Sequence, residues 1–208
     1  NEPTVSAELI ASVAPRANEA GLRAILVSNA YASRECMAVL RPMIQAANFD
    51  LKSFSDAFYR DVCGARLTPV LRTLEAARSF GWWLEITTLL IPGRNDSDEE
   101  LAAIAGFIRK ELGADVPWHI SRFRPMFRLT DAPPTSAASL ERARSIGFAE
   151  GLSFVYIGNV PGHDGENTYC PGCGKAAVRR VGYRTEAPAP PASPGCPHCG
   201  LVLPGVWT

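Results

Sequence analysis

The chain has 208 residues, which is more than one average domain and fewer than the roughly 250 residues of a closed eight-stranded α/β barrel. Hydrophobic residues make up 47% and charged residues 20% of the sequence, and this composition excludes wholesale disorder. The 21 Lys and Arg residues balance the 21 Asp and Glu residues, so the overall charge provides no attraction to nucleic acid or to an anionic membrane. Without an apolar run of ~20 residues or a signal peptide, the sequence is typical of a soluble cytoplasmic protein.

Short β-like runs alternate with longer helical patterns along the chain, which predicts repeated βα units. Gly21 is expected to end the first helix, and Ser97 with Glu100 has the form of a capping box. The strands are apolar and hardly alternate, so we predict a parallel sheet covered by helices, either as a barrel or as an open sheet. The predicted helices cover 5–20, 33–46, 68–80, 97–112 and 136–150, and the predicted strands cover 22–28, 48–52, 82–91, 118–123 and 154–157.

Polar residues follow several predicted strands, at the ends where the loops of an α/β fold converge. These residues are Ser28, Asn29, Asp50, Lys52, Asn95, Asp96, His119 and Arg122. Asp50 and Lys52 are two positions apart on a strand, so both side chains point to one face. They form either a charge pair that orients a polar ligand or a salt bridge without function. His119 is either a site residue or a core histidine bonded to the backbone.

The tail from about Gly158 is rich in Gly and Pro and contains two Cys-x-x-Cys knuckles. The stretch from Arg184 to Gly195 is predicted to be a connector that forms neither a strand ladder nor a packed helix. The 22 residues between the knuckles fit a four-thiolate zinc ribbon, a closed structural site, although an iron site uses the same ligands. The predicted metal ligands are Cys170, Cys173, Cys196 and Cys199.

Three other candidate ligands are expected not to bind metal. His198 lies between two of the ribbon cysteines, but four thiolates already complete the coordination of the ion. Cys36 and Cys63 stand alone in the sequence and are predicted to be small buried residues rather than nucleophiles.

Several segments together resemble the radical S-adenosylmethionine (SAM) enzyme of the AmmeMemoRadiSam system, a relative of pyruvate formate-lyase activating enzyme. The resemblance covers essentially the whole chain, including the end of the ribbon at Pro204-Gly205-Val206-Trp207. The other segments are Asn1-Glu2-Pro3-Thr4, Ser28-Asn29-Ala30-Tyr31, Asp50-Leu51-Lys52, Leu90-Ile91-Pro92-Gly93-Arg94-Asn95-Asp96, Pro117-Trp118-His119-Ile120-Ser121-Arg122-Phe123 and Gly158-Asn159-Val160-Pro161-Gly162-His163.

The resemblance implies a partial (β/α)6 TIM-like barrel over residues 1–157, followed by a Gly/Pro-rich extension with the ribbon over 158–208. Such an enzyme carries a 4Fe–4S cluster and SAM at the carboxyl ends of its strands. It cleaves SAM reductively to a 5′-deoxyadenosyl radical that abstracts hydrogen from a protein or a small molecule. A reductant such as flavodoxin or ferredoxin is the further partner that the resemblance implies.

The resemblance also implies roles for six residues, while it assigns no catalytic residue. Glu2 would bind the SAM amino group, and Ser28 and Asn29 would lie beside the methionyl or ribose part of SAM. Asp50 and Lys52 would contact SAM and a bound water or cation, and His119 would lie near the SAM ribose. A carboxylate acceptor and cationic or N–H donors are the partners that the amino and carboxylate groups of SAM require.

The sequence departs from the family at the cluster ligands, because the Cys-x-x-x-Cys-x-x-Cys loop is absent. We therefore expect the chain to be an amino-terminally truncated fragment that begins at the end of the second strand and lacks SAM cleavage by itself. Its first remaining strand would then expose an unpaired edge and favour association. The rival explanation is a natural variant that has lost radical chemistry.

Two hypotheses from other classes remain open on the sequence alone. Lys52 could be the Schiff-base lysine of a barrel aldolase with Asp50 as its partner, although a neighbouring carboxylate favours the charged amine. The ribbon could instead bind a partner or nucleic acid through Arg179, Arg180 and Arg184, although three arginines add little to a neutral chain.

Overall fold

The structure is a computed structural model that describes residues 2–182, 184–186 and 194–206. Its helices are α1 (Ala7–Glu19), α2 (Arg34–Leu40), α3 (Asp56–Phe58), α4 (Leu67–Ser79), α5 (Asp98–Phe107) and α6 (Ala137–Ala149). Its strands are β1 (Ile25–Ser28), β2 (Ala46–Asp50), β3 (Trp83–Leu90), β4 (Trp118–Arg122), β5 (Val155–Gly158), β6 (Thr168–Tyr169), β7 (Ala176–Val181) and β8 (Arg184–Glu186). Two π-helical turns, Tyr59–Cys63 and Ile108–Leu112, extend α3 and α5.

A five-stranded sheet has the order β1-β2-β3-β4-β5, as expected for successive βα units. The chain divides into two compact units, Asn1–Thr88 and Leu89–Thr208. In the first unit β1, β2 and β3 are parallel, with Ser28 opposite Phe49 and Asp50 opposite Thr87. In the second unit β4 and β5 are parallel. This division differs from the boundary at residue 158, which stays a prediction.

Serine caps begin several helices as their sequence predicted. Ser97 accepts a hydrogen bond from the Glu100 N–H, and Ser136 and Ser33 cap α6 and α2 in the same way. Gly21 has φ of +78° directly after α1, in the left-handed region where glycine carries no steric cost. These local signals place the starts of α2, α5 and α6 and the end of α1 within one residue of their predicted positions.

The predicted helix over 33–46 and strand over 48–52 are wrong in their bounds. α2 ends at Leu40, and β2 already begins at Ala46. Pro42 explains the early end, because proline has no N–H to donate to the carbonyl four residues earlier in the helix. Lys52 therefore lies two residues beyond the strand, in the turn that follows Asp50.

The sequence reading missed a short helical segment after this turn. Ser55 accepts a hydrogen bond from the Phe58 N–H and begins α3, which continues into the π-helical turn Tyr59–Cys63. Gly64 ends the segment in the left-handed region, with φ of +63°. This segment places the buried Tyr59 next to the end of β2.

Each unit buries apolar strand residues against its helices. In the first unit Phe49 and Leu84 from the sheet and Leu74 from α4 are fully buried. In the second unit Trp118 is fully buried, and a Cβ on Gly147 of α6 would lie 3.0 Å from its ring. Glycine at this position therefore lets α6 approach β4 closely.

The tail forms a small antiparallel sheet of β6, β7 and β8. The prediction that no ladder forms from Arg184 onward is wrong for Arg184–Glu186, which pairs with β7. Residues 184–186 contain no proline, so each keeps the backbone N–H that a strand ladder needs. The first proline of the connector comes after Glu186. Residues 187–193 of the predicted connector lie outside the described residues. Within the described ranges, no helix has the length and apolar character needed to cross a membrane.

Candidate functional site

The carboxyl ends of β1 and β2 bring four of the predicted SAM-binding residues to one edge of the sheet. Ser28 ends β1 and Asn29 follows it, while Asp50 ends β2 and Lys52 follows in the next turn. The register pairs Ser28 with Phe49, so the two strands end at the same level. This edge is where ligands bind in parallel α/β folds.

Glu2 joins this edge through hydrogen bonds to both residues at the end of β1. Its Oε1 accepts from the Ser28 hydroxyl at 2.7 Å, and its Oε2 accepts from the Asn29 N–H at 2.8 Å. Oε1 also accepts from the N–H and the hydroxyl of Thr4, at 3.0 and 2.7 Å. Three donors therefore hold Oε1, whereas Oε2 accepts from the Asn29 N–H and has further lone-pair capacity for a cationic ligand.

The surroundings of Glu2 favour its ionised form. Partial burial raises the pKa of the carboxyl group, but the hydrogen bonds from Asn29, Ser28 and Thr4 outweigh burial and lower it below the usual 4.5. An ionised carboxylate with a fixed direction is suited to hold an ammonium group.

Because the pKa of Glu2 is lowered in the folded protein, its contribution to the free energy of unfolding is present above pH 4.5. That contribution is lost as the pH falls from 4.5 through the folded value. We expect the stability difference between wild type and Glu2→Gln, measured by urea unfolding from pH 6 to pH 3, to shrink towards acid. A difference that grows at acid pH would contradict the hydrogen-bonded carboxylate.

Asp50 and Lys52 form an ion pair at the end of β2. The Lys52 Nζ lies 2.5 Å from the Asp50 Oδ2, and each side chain is about one-third exposed, at 35% and 34%. The pair thus stands at the surface of the sheet edge with both charges accessible. A pair of this kind contributes little to stability, and its contact with a ligand stays a prediction.

His119 lies in the second unit, at the second position of β4. Its ring stacks on Tyr156 of β5, with centroids 5.0 Å apart and planes at 17°. Arg180 of β7 lies over the same tyrosine ring at 5.7 Å. The ring of His119 is thus engaged three residues before the carboxyl end of β4, and its contact with SAM stays a prediction.

The other polar candidates at strand ends hold loops of the second unit. Asn95 Oδ1 accepts from the Ile91 N–H at 2.7 Å, and Asp96 accepts from the Gly93 N–H at 2.7 Å. Arg122 donates to the Thr135 carbonyl at 2.9 Å. These contacts are structural, so no ligand is needed to explain the polar residues.

The four ribbon cysteines come together as predicted. Their sulfur atoms lie within 4.8 Å of one another. The two knuckles are equivalent, because Gly174 donates to the Cys170 carbonyl and Gly200 to the Cys196 carbonyl, both at 2.8 Å. Both glycines are left-handed, with φ of +70° and +76°. This geometry turns each chain tightly enough for its two thiols to face one point.

The sulfur spacing fits a single tetrahedral ion. Four thiolates at about 2.3 Å from zinc are separated by about 3.8 Å. The Sγ atoms of Cys170 and Cys199 lie 3.6 Å apart, and those of Cys173 and Cys196 lie 3.7 Å apart. The set does not fit the cluster that cleaves SAM, since four converging thiolates leave no open iron position for a substrate.

The pKa values of two ribbon thiols shift in opposite directions. Burial raises the pKa of Cys196, but N–H bonds from His198 and Cys199 and the neighbouring thiols lower it to about 6. The N–H of Leu201 lowers the pKa of Cys199, but its contacts with the other thiols raise it. The thiolate is the form that binds metal. The ring of His198 lies 3.2 Å from the Ala176 carbonyl, and its exclusion from the metal ligands stays a prediction.

The two remaining cysteines differ from this set. Cys36 and Cys63 are half-buried, and burial is the main cause that raises the pKa of each thiol. A raised pKa leaves both as thiols at neutral pH, and both are half-buried rather than buried as predicted.

No protein-family model matches the chain. It is 45% identical over 185 residues to the uncharacterized protein MJ0808 of Methanocaldococcus jannaschii, covering 89% of the chain and 55% of that protein. It is 33% identical over 94 residues to the isethionate sulfite-lyase activating enzyme of Nitratidesulfovibrio vulgaris, covering 43% of the chain and 30% of the enzyme. The chain thus spans about half of the first relative and less of the second.

Solved structures share the fold at low sequence identity. A domain of pyruvate-formate lyase-activating enzyme from Bacteroides vulgatus matches with a TM-score of 0.65 and 18% identity, over 76% of this chain and 95% of that chain. SuiB of Streptococcus suis, bound to S-adenosylmethionine, matches with a TM-score of 0.60 and 14% identity, over 76% of this chain and 37% of that chain. The chain therefore has the α/β fold of these two proteins and is similar in sequence to part of an activating enzyme.

Proposed function

We propose that the chain is the SAM-binding part of a radical SAM enzyme of the activating-enzyme kind, with SAM held by Glu2, Ser28, Asn29, Asp50 and Lys52. The observation that carries this proposal is the fixed, ionised Glu2 carboxylate at the carboxyl edge of β1. The SuiB structure with bound S-adenosylmethionine supports it, since the two proteins share a fold. The proposal includes the AmmeMemoRadiSam branch, which rests on the sequence resemblance.

The residues at the edge complement the two charged ends of the methionyl part of SAM. The Oε2 atom of Glu2 provides an acceptor for the ammonium group, in addition to its bond from Asn29. The Lys52 amine is a cation within reach of solvent, and Asp50 orients it. A carboxylate acceptor and an ammonium donor at one sheet edge match a zwitterionic amino acid.

The cluster that supplies the electron for SAM cleavage would be bound outside these 208 residues, because the sequence contains no Cys-x-x-x-Cys-x-x-Cys loop. One face of β1 supports this. Ile25 and Val27 alternate with buried residues on the strand, and each is 65% exposed. Exposed apolar side chains on one face of a sheet are expected where a further part of a longer polypeptide covers that face.

We further propose that the ribbon binds structural zinc and that the complete enzyme acts on a protein or a small molecule, with flavodoxin or ferredoxin as reductant. SuiB bound to its precursor peptide SuiA is an example of a peptide partner in the same fold. The equivalent knuckles and their sulfur spacing support the zinc site.

Neither rival function is favoured by the geometry. The amine of a Schiff-base lysine must be free to attack a carbonyl, but the Lys52 Nζ is paired with the Asp50 Oδ2 at 2.5 Å. The contacts of Arg180 disfavour a nucleic-acid role for the ribbon. Its guanidinium group donates to the Thr168 hydroxyl at 2.7 Å and to the Glu166 carbonyl at 3.3 Å, so it is already engaged within the protein.

Glu2→Gln is expected to weaken SAM binding by roughly tenfold or more, because one charge-assisted hydrogen bond is worth about 1.5–3 kcal/mol. Isothermal titration calorimetry of wild type and variant with SAM measures this effect. Glu19→Gln, at an exposed position at the end of α1, is the matched control and should leave affinity unchanged. Equal affinities of wild type and Glu2→Gln would contradict the assignment of the SAM ammonium group to Glu2.

A further inference from the structure

Tyr59 is a buried residue beside the candidate site that the SAM assignments do not use. It is 2% exposed and stands at the start of the π-helical turn Tyr59–Cys63. Its hydroxyl oxygen accepts a hydrogen bond from the Lys52 N–H at 3.0 Å, and it bonds the backbone of Ser53 as well. One side chain thus engages two successive residues of the turn that carries the Asp50–Lys52 pair.

Strand β3 holds the first residue of this turn. The Leu51 N–H donates to the Thr87 carbonyl at 3.0 Å, and the Thr88 hydroxyl donates to the Leu51 carbonyl at 2.7 Å. The Lys52 N–H, one residue further along, is partly buried and donates to the Tyr59 hydroxyl. An N–H that is shielded from water and has no acceptor is costly, so this hydroxyl contributes to holding the turn.

The backbone of Tyr59 is itself held in place. Its carbonyl accepts from the Gly64 and Ala65 N–H groups, the second at 2.9 Å. Asp56, in the same segment, accepts from the Leu67 N–H at the start of α4 at 3.1 Å. The phenol therefore reaches the turn from a segment that is anchored at both ends.

We propose that Tyr59 is the positioning residue of the Asp50–Lys52 pair, holding the backbone of the turn so that the Lys52 amine keeps a fixed direction at the sheet edge. The proposal deepens the proposed function and rests on it for the contact with SAM. Burial is the main cause that raises the pKa of Tyr59 well above its usual range, so the group stays a neutral hydroxyl through the working pH range.

The test compares Tyr59→Phe with Tyr156→Phe in the full chain. Each substitution removes one hydroxyl and keeps the ring, and Tyr156 loses a contact of the same 3.0 Å length, to Thr168. Three quantities are measured: amide hydrogen exchange at Lys52 and Ser53, the rate of Lys52 acylation by an acetyl ester, and the dissociation constant for SAM.

For Tyr59→Phe we expect amide exchange at both positions to accelerate by at least roughly tenfold. Acylation of Lys52 should accelerate and SAM should bind several-fold more weakly, while Tyr156→Phe matches wild type in all three quantities. Unchanged exchange and acylation in Tyr59→Phe would overturn the positioning role. Faster exchange with unchanged SAM affinity would also overturn it, because the fixed turn would then not serve the ligand.

The failure of the proposed function gives a different result. If wild type does not bind SAM, the proposed function fails, while exchange and acylation still decide whether Tyr59 holds the Lys52 turn.

Discussion

Cys196→Ser is expected to remove the metal from the ribbon and to lower the thermal unfolding midpoint of the protein strongly. Cys196 is buried and belongs to a small apolar cluster with Phe154, Ala177 and Leu203. Loss of the ion would therefore loosen the packing of the ribbon against Phe154, which directly precedes β5. In zinc-finger peptides the apparent metal-binding free energy is about 10–16 kcal/mol.

Elemental analysis and calorimetry measure this effect. Wild type should contain one equivalent of zinc and the variant none. A loss of only about 5 kcal/mol would lower the midpoint by roughly 10–20 °C in a chain of this size. Cys36→Ser, at a half-buried cysteine outside the ribbon, is the control and should keep the metal. Zinc retained at one equivalent in Cys196→Ser would contradict the four-thiolate site, and one equivalent of iron in wild type would contradict zinc.

The ribbon was the part of the molecule that local sequence predicted best. Spacing within each knuckle, together with the glycine that follows it, determines where two thiols point, and no distant contact is needed. The strands beside the knuckles were missed because β6 has only two residues and β8 only three. Runs so short have no period that could be recognised in a sequence.

The parallel sheet followed from apolar runs and helix caps, while its exact bounds did not. Trp83–Leu90 is predictable as a strand because seven of its eight residues are apolar or β-branched. The region from Leu40 to Ala46 was misread because its apolar residues continue the helical period past Pro42. The ring of proline clashes with the preceding turn of a helix, and the spacing of apolar residues does not reveal this steric effect.

The candidate site was only partly visible in the sequence. Ser28, Asn29, Asp50 and Lys52 were found because they follow strands, a rule that depends on chain order alone. The bonds from Glu2 to the end of β1 span 26 and 27 residues, and no local pattern predicts such contacts. Tyr59 was missed because an aromatic residue in an irregular segment carries no functional signal of its own.

The second large effect concerns SAM cleavage. In the longer polypeptide that we propose, an upstream Cys-x-x-x-Cys-x-x-Cys loop supplies the cluster, and this chain supplies the residues that bind and orient SAM. Glu2→Gln in that polypeptide is expected to lower the rate of 5′-deoxyadenosine formation by about 10²-fold. Misplacing a substrate by about 1 Å can have an effect of that size.

Formation of 5′-deoxyadenosine from SAM under strong reduction, followed by liquid chromatography, tests the account most directly. The measurement compares this chain alone with the longer polypeptide after iron and sulfide reconstitution of both. We expect no 5′-deoxyadenosine from the chain alone, and formation by the longer polypeptide that depends on Glu2. Cleavage of SAM by the 208-residue chain alone, or no cleavage by a reconstituted longer polypeptide, would contradict the account.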